Sequence, residues 1–124
     1  MKTKVYLTWE QVEKFVNIVK NKYVLEEPFI GVYGLPRGGL VLAVMLSHKL
    51  NIPLLAAPSD GCLIVDDICD SGESLLHYFQ NSSGRSKKRY TIATLVYKEN
   101  LLGVVPDCYL IPETDDHWVV FPWE

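Results

Sequence analysis

The sequence predicts an α/β fold in which a mostly parallel β-sheet is covered by helices on both faces. Apolar runs typical of buried strands alternate along the chain with segments of helical periodicity. At two places such a run ends in a Gly-containing turn that leads directly into a helix, which is the order expected of a parallel sheet. With 124 residues the chain has the length of one domain, and we expect residues 1–124 to form it.

The first half of the chain predicts two helices and the strand between them. Thr8 and Gln11 form a capping-box pair, and a helix is predicted at 9–22. Its apolar residues recur at intervals of three and four: Val12, Phe15, Val16 and Val19. A buried strand at 29–33 ends in a Gly-rich turn, and a second helix is predicted at 40–50.

The second half predicts shorter elements in the same alternation. Strands are predicted at 53–57, 61–65, 90–97 and 107–111. A short helix is predicted at about 73–80, and a polar surface loop at 81–89.

Composition and charge exclude several classes of protein. Hydrophobic residues make up 48% and charged residues 22%, which is not the composition of a disordered or collagen-like chain. The net charge of -3 argues against a broad basic surface, and hence against a nucleic-acid partner. The short basic run of Lys87, Lys88 and Arg89 is interpreted as part of a solvated loop.

Cysteine usage and hydropathy indicate the compartment. Cys62, Cys69 and Cys108 are odd in number and show no CxxC spacing, which favours a reducing environment over disulfides or zinc. The N-terminus has no apolar stretch of signal-peptide length, and no apolar run approaches the length of a membrane span. We therefore expect a cytoplasmic protein without a membrane partner.

The most informative segment is LIVDDICDSGESL at 63–75, where an apolar strand runs into carboxylates and then a turn. Asp66, Asp67 and Asp70 repel one another unless hydroxyls, a metal or a cation compensate. Immediately afterwards, the hydroxyls and amides of 71–74 lie where a helix begins, a setting suited to phosphate. An acidic pair beside a phosphate cup suits a phosphorylated ribose. The alternative is a solvated loop in which Asp70 and Ser71 only cap the helix.

A second candidate is the turn at 35–39. Gly38 and Gly39 let backbone amides approach an anion, and Arg37 supplies a fork of donors that matches phosphate oxygens. We interpret this turn, including Pro36, as a diphosphate site. An ordinary tight turn is the alternative.

A third candidate lies towards the C-terminus. Lys98 ends a predicted strand, and Trp118 offers a flat platform for a heterocycle. Together they suit a 6-oxopurine. The alternative is that Trp118, Phe121 and Trp123 are simply core or interface residues.

The segment VDDICDSGES resembles the signature of the type I phosphoribosyltransferases, whose fold is Rossmann-like. The resemblance implies that Asp66 and Asp67 address the ribose hydroxyls of 5-phosphoribosyl 1-diphosphate. It also implies that the following turn holds the 5-phosphate through Asp70, Ser71, Gly72, Glu73 and Ser74. Mg²⁺ is the implied cofactor, reached by Asp66 and Asp67 indirectly, through ribose hydroxyls or water.

Over nearly the whole chain, the order of parts is similar to the members of this family that convert 6-oxopurines to nucleotides. The resemblance implies that Trp118 stacks on the purine, that Val119 offers backbone groups to its edge, and that Lys98 contacts the 6-oxygen. Asp70 is implied as the general base, and Arg37 as a stabiliser of the leaving diphosphate. The family also implies a cis peptide, for which Pro36-Arg37 is the candidate, and assembly as a homodimer or homotetramer.

One departure keeps two functions open. Active family members carry a long mobile loop before the acidic strand, whereas only residues 56–60 are present here. Its absence predicts slow turnover, leaky hydrolysis, or closure by another subunit. The leading hypothesis is a minimal purine phosphoribosyltransferase of purine salvage. The alternative is a weakly active or non-catalytic module that binds a nucleotide or phosphoribosyl diphosphate. A flavodoxin-like signalling domain is disfavoured, because the Ser-Gly-Glu-Ser turn has no role there.

Overall fold

The computed structural model describes residues 2–81 and 89–124, and its elements follow the predicted alternation. In chain order they are β1 (Thr3–Tyr6), α1 (Trp9–Tyr23), β2 (Val32–Gly34), α2 (Gly39–Leu50), β3 (Cys62–Cys69), α3 (Glu73–Asn81), β4 (Tyr90–Lys98), β5 (Cys108–Glu113) and β6 (His117–Val120). Most of the predicted loop at 81–89, with Lys87 and Lys88, lies outside the described residues. Arg89 is described, and it forms an ion pair with Asp60 at 2.8 Å.

The main sheet is parallel, with the strand order β2-β3-β4-β5. Each pair of neighbouring strands is parallel, so the carboxyl ends of all four meet at one edge. The sheet is covered on both faces. Phe15 and Leu42 bring α1 and α2 against Leu63 on one face. Leu75 brings α3 against Ile64 on the other. The predicted α/β class is thereby confirmed.

Two strands lie apart from this sheet and were not predicted. β1 and β6 form a parallel pair that joins the two ends of the described chain, with Val5 opposite Val119. β1 has four residues, three of them exposed, so it lacks the apolar alternation that indicates a strand. Its pairing depends on residues more than a hundred positions away, which no local pattern reveals.

The prediction of a strand at 53–57 is wrong. It is reduced to one isolated bridge between Val32 and Leu54. Pro53 accepts from the Val32 amide at 2.9 Å but has no N–H of its own, and β2 beside it has only three residues. The segment therefore touches the edge of the sheet without extending it.

The acidic strand is longer than predicted. We expected the turn to begin at Asp66, yet β3 continues to Cys69, with Asp66 opposite Thr94 and Cys69 opposite Tyr97. The nine residues of β4 supply backbone partners past the end of the apolar run. The turn itself is confined to residues 70–72.

Among the described residues, no helix is both long enough and apolar enough to cross a bilayer.

Candidate active site

Two turns from neighbouring strands meet at the carboxyl edge of the sheet. The first joins β2 to α2, and the second joins β3 to α3. Gly34, the last residue of β2, lies opposite Val65, and β3 continues past this level to Cys69, so Asp66 and Asp67 stand beside the first turn. A cavity of about 270 Å³ lies between the turns. Its lining residues are Pro36, Gly38, Asp66, Asp67, Ile68, Cys69, Asp70, Ser71, Gly72, Ser74 and Leu75.

The acidic pair lies at the end of β3, in this cavity. Each carboxylate accepts the amide of the residue that follows it: Asp66 Oδ1 from Asp67 at 2.9 Å, and Asp67 Oδ1 from Ile68 at 2.8 Å. Desolvation, followed by the charge of Asp67, raises the pKa of Asp66 to about 8. Desolvation also raises the pKa of Asp67. Hydroxyl donors from a ligand would favour the ionised form of both carboxyls, which burial disfavours in the unliganded site.

Gly38 determines where the Asp67 carboxylate lies. A Cβ built on Gly38 would fall 2.2 Å from Asp67 Oδ2, so this carboxylate packs directly against the glycine backbone. The backbone of Gly38 is ordinary right-handed helical, with φ -59 and ψ -33. Close approach, and not conformational freedom, therefore explains the glycine.

Gly38→Ala is expected to displace the Asp67 carboxylate without disturbing the backbone. We expect kcat/KM for phosphoribosyl transfer to fall by about 10-fold or more. A displaced Asp67 carboxylate would misplace the ribose, and small errors in substrate position raise the activation free energy steeply. Steady-state kinetics and the circular dichroism spectrum of the variant check this together. A variant that folds and retains wild-type kcat/KM would contradict the importance of this contact.

The N-terminus of α3 forms the far side of the cavity. Ser71 Oγ accepts a hydrogen bond from the Glu73 amide at 3.3 Å. Ser71 therefore caps the helix, as the alternative to a phosphate site predicts. Capping leaves other first-turn amides without intrahelical partners, at the positive end of the helix dipole. Ser71 and Ser74 belong to this turn, and both line the cavity. The turn can therefore receive an anion even though one of its hydroxyls caps the helix.

Asn100 supports this turn and was missed in the sequence. Its Nδ2 donates to the Val104 carbonyl at 2.8 Å, and its Oδ1 accepts the Val104 amide at 3.0 Å. Gly72, with φ +85, packs against this pair so closely that a Cβ would lie 2.9 Å from Asn100 Oδ1. The loop after β4 thus packs against the turn at residues 70–72 and supports it. No local pattern marks Asn100 for that position.

In the first turn, the Pro36-Arg37 peptide bond is cis, as the resemblance implied. Arg37 is exposed. The Gly39 amide donates to the Leu35 carbonyl at 2.9 Å, so it is already paired in this conformation, and its contact with a diphosphate stays a prediction. Gly39 instead allows α2 to approach β3, since its Cβ would fall 2.4 Å from the Val65 carbonyl oxygen.

A second cavity, of about 780 Å³, adjoins the first and shares Asp70 and Ser71 with it. Its other lining residues are Glu73, Lys98, Glu99, Asn100, Leu101, Leu102, Glu113, Thr114 and Asp115. The Lys98 side chain is only 4% exposed, and its Nζ lies 3.9 Å from Asp70 Oδ2. Lys98 Nζ also donates to the His117 carbonyl at 3.1 Å. Asp70, 57% exposed, thus stands at the junction of the two cavities beside a buried cation.

The structure does not bring the rest of the predicted base site into these cavities. Trp118 is 58% exposed on β6, and Val119 beside it is buried in the core. Neither is among the described residues that line the two cavities. Trp118 follows directly after His117, whose carbonyl holds Lys98. Phe121 and Trp123 stack with ring centroids 5.2 Å apart, which supports the packing interpretation for these two residues.

Glu113 and His117 are further residues that the sequence did not single out. His117 Nδ1 donates to Glu113 Oε1 at 2.6 Å. Lys98 and Glu113 are partners in the register of β4 and β5. The Lys98–Glu113 juxtaposition is set by strand register, and the Glu113–His117 hydrogen bond by the turn between β5 and β6.

The fold and the paired turns define a phosphoribosyltransferase of type I, and comparison with known proteins places the chain within that class. No family model matches it. It is 32% identical to the purine phosphoribosyltransferase from Pyrococcus horikoshii, with a TM-score of 0.77 over 98% of this chain and 94% of that one. The chain belongs to the purine phosphoribosyltransferase family, whose members are pentosyl-transferring glycosyltransferases, and it is an enzyme of that class.

Two further relatives are more distant. The xanthine-guanine phosphoribosyltransferase of Vibrio parahaemolyticus is 25% identical, and the match covers all of this chain and 91% of the relative. That alignment extends over 146 positions although the chain has 124 residues, so the relative contains residues without a counterpart here. A hypothetical protein from Neisseria gonorrhoeae with bound ppGpp shares the fold, with a TM-score of 0.73 and 20% identity over all of this chain and 90% of that one.

Proposed function

We propose that the chain transfers the 5-phosphoribosyl group of 5-phosphoribosyl 1-diphosphate to a 6-oxopurine, namely guanine, xanthine or hypoxanthine. A bond forms between the purine nitrogen and C1 of the ribose, and the bond from C1 to the diphosphate breaks. The products are a nucleoside monophosphate and diphosphate. The observation that carries this proposal is the position of Asp70, which joins a cavity of carboxylates and helix amides to a cavity containing Lys98.

The smaller cavity is the proposed phosphoribosyl site. Asp66 and Asp67 accept from the two ribose hydroxyls, which compensates for their mutual repulsion. The amides and hydroxyls of Ser71 to Ser74 hold the 5-phosphate at the start of α3. A ligand with both groups fits a cavity that has carboxylates on one wall and donors on the other.

The diphosphate and the purine base are bound by different parts of the site. Arg37 and the Gly38 amide hold the diphosphate and stabilise the negative charge that grows on it as the bond to C1 breaks. In the larger cavity, Lys98 donates to the 6-oxygen, and Asp70 accepts the proton that the purine ring loses. Trp118 and Val119 complete the base site from β6. For Trp118 this requires a rotation towards the cavity.

Magnesium fits the acidic pair as an ion shared with the substrate. The described residues contain no group of three or more ligating side chains that could hold a metal alone. Mg²⁺ characteristically binds one or two carboxylates, with water and substrate oxygens completing its shell. Asp66 and Asp67 would therefore hold it indirectly, through ribose hydroxyls or water. When bound, it would neutralise charge on the diphosphate.

The proposal is tested by incubating the protein with labelled guanine, hypoxanthine or xanthine, together with phosphoribosyl diphosphate and Mg²⁺. We expect a labelled nucleoside monophosphate with at least one of these bases and none with orotate or uracil. A parallel reaction without base measures hydrolysis of phosphoribosyl diphosphate, which the short segment 51–61 between α2 and β3 predicts to be substantial. Absence of nucleotide with every base would contradict the proposal.

A second candidate is a nucleotide-binding regulatory module of the same fold. Two observations favour it: the Neisseria gonorrhoeae protein of this fold holds ppGpp, and only a short link precedes β3. Calorimetry with guanosine monophosphate and ppGpp separates the candidates. Tight nucleotide binding together with zero transfer would select the module over the enzyme.

We also propose self-association as a homodimer or homotetramer. Leu40 and Val44 lie one turn apart on α2, and both are exposed. A second copy packed on this face of α2 would bury both side chains. Sedimentation velocity over a range of concentrations tests this, and a monomer at every concentration would contradict it.

A further inference from the structure

We propose that the Glu113 carboxylate recognises the purine by hydrogen bonds at N1 and at the C2 substituent, so that the site prefers guanine to xanthine. This inference rests on the proposed function of the same site. It assigns base selection to the end of β5, where neither the sequence nor the resemblance indicated a functional residue.

The first support is the order of three side chains along the edge of the sheet. β3, β4 and β5 are neighbours in the sheet. Asp70 follows the last residue of β3, Lys98 is the last residue of β4, and Glu113 is the last residue of β5. A 6-oxopurine presents N7, the 6-oxygen, N1 and the C2 substituent in the same order around its rings. If Asp70 faces N7 and Lys98 faces the 6-oxygen, the next strand must face N1 and C2.

The second support is the state of the Glu113 carboxylate. Its side chain is only 12% exposed, and it lines the same cavity as Lys98. Oε1 accepts both from His117 Nδ1 at 2.6 Å and from the Thr114 amide at 3.1 Å. Among the described residues, no hydrogen-bond donor is found for Oε2. The hydrogen bond from His117 lowers the pKa of Glu113, so the carboxylate is ionised at neutral pH.

A fixed, ionised carboxylate can only accept hydrogen bonds. Guanine offers it donors at N1 and at the 2-amino group. Hypoxanthine offers only N1, and xanthine places an oxygen at C2 that the carboxylate repels. Sites built to bond a polar group discriminate strongly against analogues that leave the site's own groups unpaired. The expected order of kcat/KM is guanine, hypoxanthine, xanthine.

The test compares wild type with Glu113→Gln for the three bases. Glutamine keeps the size of the side chain, loses the charge, and can donate to the 2-oxygen of xanthine. We expect the guanine-to-xanthine ratio of kcat/KM to fall by about 10-fold or more in the variant. Glu99→Gln is the matched control, because Glu99 is an exposed carboxylate lining the same cavity. It should leave the ratio within about 2-fold of wild type.

Nucleotide binding provides a readout that does not depend on catalysis. Calorimetry with guanosine, inosine and xanthosine monophosphates should give the same order in wild type and a reduced preference in Glu113→Gln. Should this variant fail to fold, Glu113→Asp replaces it. Aspartate keeps the charge but withdraws the carboxylate from the base, so the preference for guanine should again be reduced, through the lost hydrogen bonds to N1 and the 2-amino group.

The outcomes distinguish the two proposals. Binding with the guanine preference but no transfer would overturn the proposed enzyme and support the role of Glu113. Transfer with a ratio unchanged in Glu113→Gln, or a wild type that prefers xanthine, would overturn the role of Glu113 alone. Absence of both transfer and nucleotide binding would overturn both.

Discussion

Asp70→Asn is expected to lower kcat for purine transfer by about 100-fold or more, because asparagine cannot take the proton that the purine ring loses. Asparagine retains the size of the side chain and its ability to accept a hydrogen bond. Since Asp70 is more than half exposed, the free energy of unfolding should change by less than about 0.5 kcal/mol. Steady-state kinetics with guanine and a urea titration measure the two effects.

Asp115→Asn is the matched control for this experiment. Asp115 is an exposed carboxylate that lines the same cavity, but no role is assigned to it. It should leave kcat within about 2-fold of wild type. If Asp70→Asn retained kcat within a few-fold of wild type, Asp70 would not be the base.

Asp66→Asn is expected to separate stability from activity. The pKa of Asp66 in the folded protein is about 8, well above the ordinary value near 4. Between about pH 4 and pH 8 the folded state therefore binds more protons than the unfolded state, and stability falls as the pH rises through this window. The variant has no carboxyl to deprotonate at this position, so its stability should exceed that of wild type by about 1–2 kcal/mol at pH 8.

At pH 8.5, where the Asp66 carboxyl of wild type is mostly ionised, the same variant should bind phosphoribosyl diphosphate about 10-fold more weakly, because it loses a charged acceptor for a ribose hydroxyl. Urea titrations from pH 5 to pH 8.5 and calorimetry measure the two effects. Asp60→Asn serves as a control, because the exposed ion pair of Asp60 with Arg89 contributes little to stability. Equal pH dependence in Asp66→Asn and wild type would show that Asp66 is not an ionisable buried group.

Much of the fold could be predicted, because its main elements are encoded locally. The capping box at Thr8 and Gln11 fixes the start of α1, and both of its reciprocal hydrogen bonds are present. β4 was predicted within one residue, since six of its nine residues are β-branched or aromatic. By contrast, β1 and β6 exist only through pairing between the two ends of the described chain, and the segment predicted as a strand at 53–57 forms only one bridge, to the three-residue β2.

The candidate site divides in the same way. Asp66 to Ser74 could be predicted because the residues that bear the chemistry follow one another along the chain. Lys98 was predicted from its place at a strand end, but its distances to Asp70 and His117 depend on how three elements pack. The positions of Glu113 and Asn100 in the site could not be predicted from the sequence, because their contacts depend on strand register and loop packing.

The central claim is that the turn after β3 binds the phosphate of a ribose while the acidic pair binds its hydroxyls. A crystal structure with guanosine monophosphate and Mg²⁺ tests this most directly. The account predicts the phosphate within hydrogen-bonding distance of the amides between Ser71 and Ser74, with the ribose hydroxyls against Asp66 and Asp67. A nucleotide whose phosphate lies elsewhere, with the start of α3 in contact only with solvent, would contradict it.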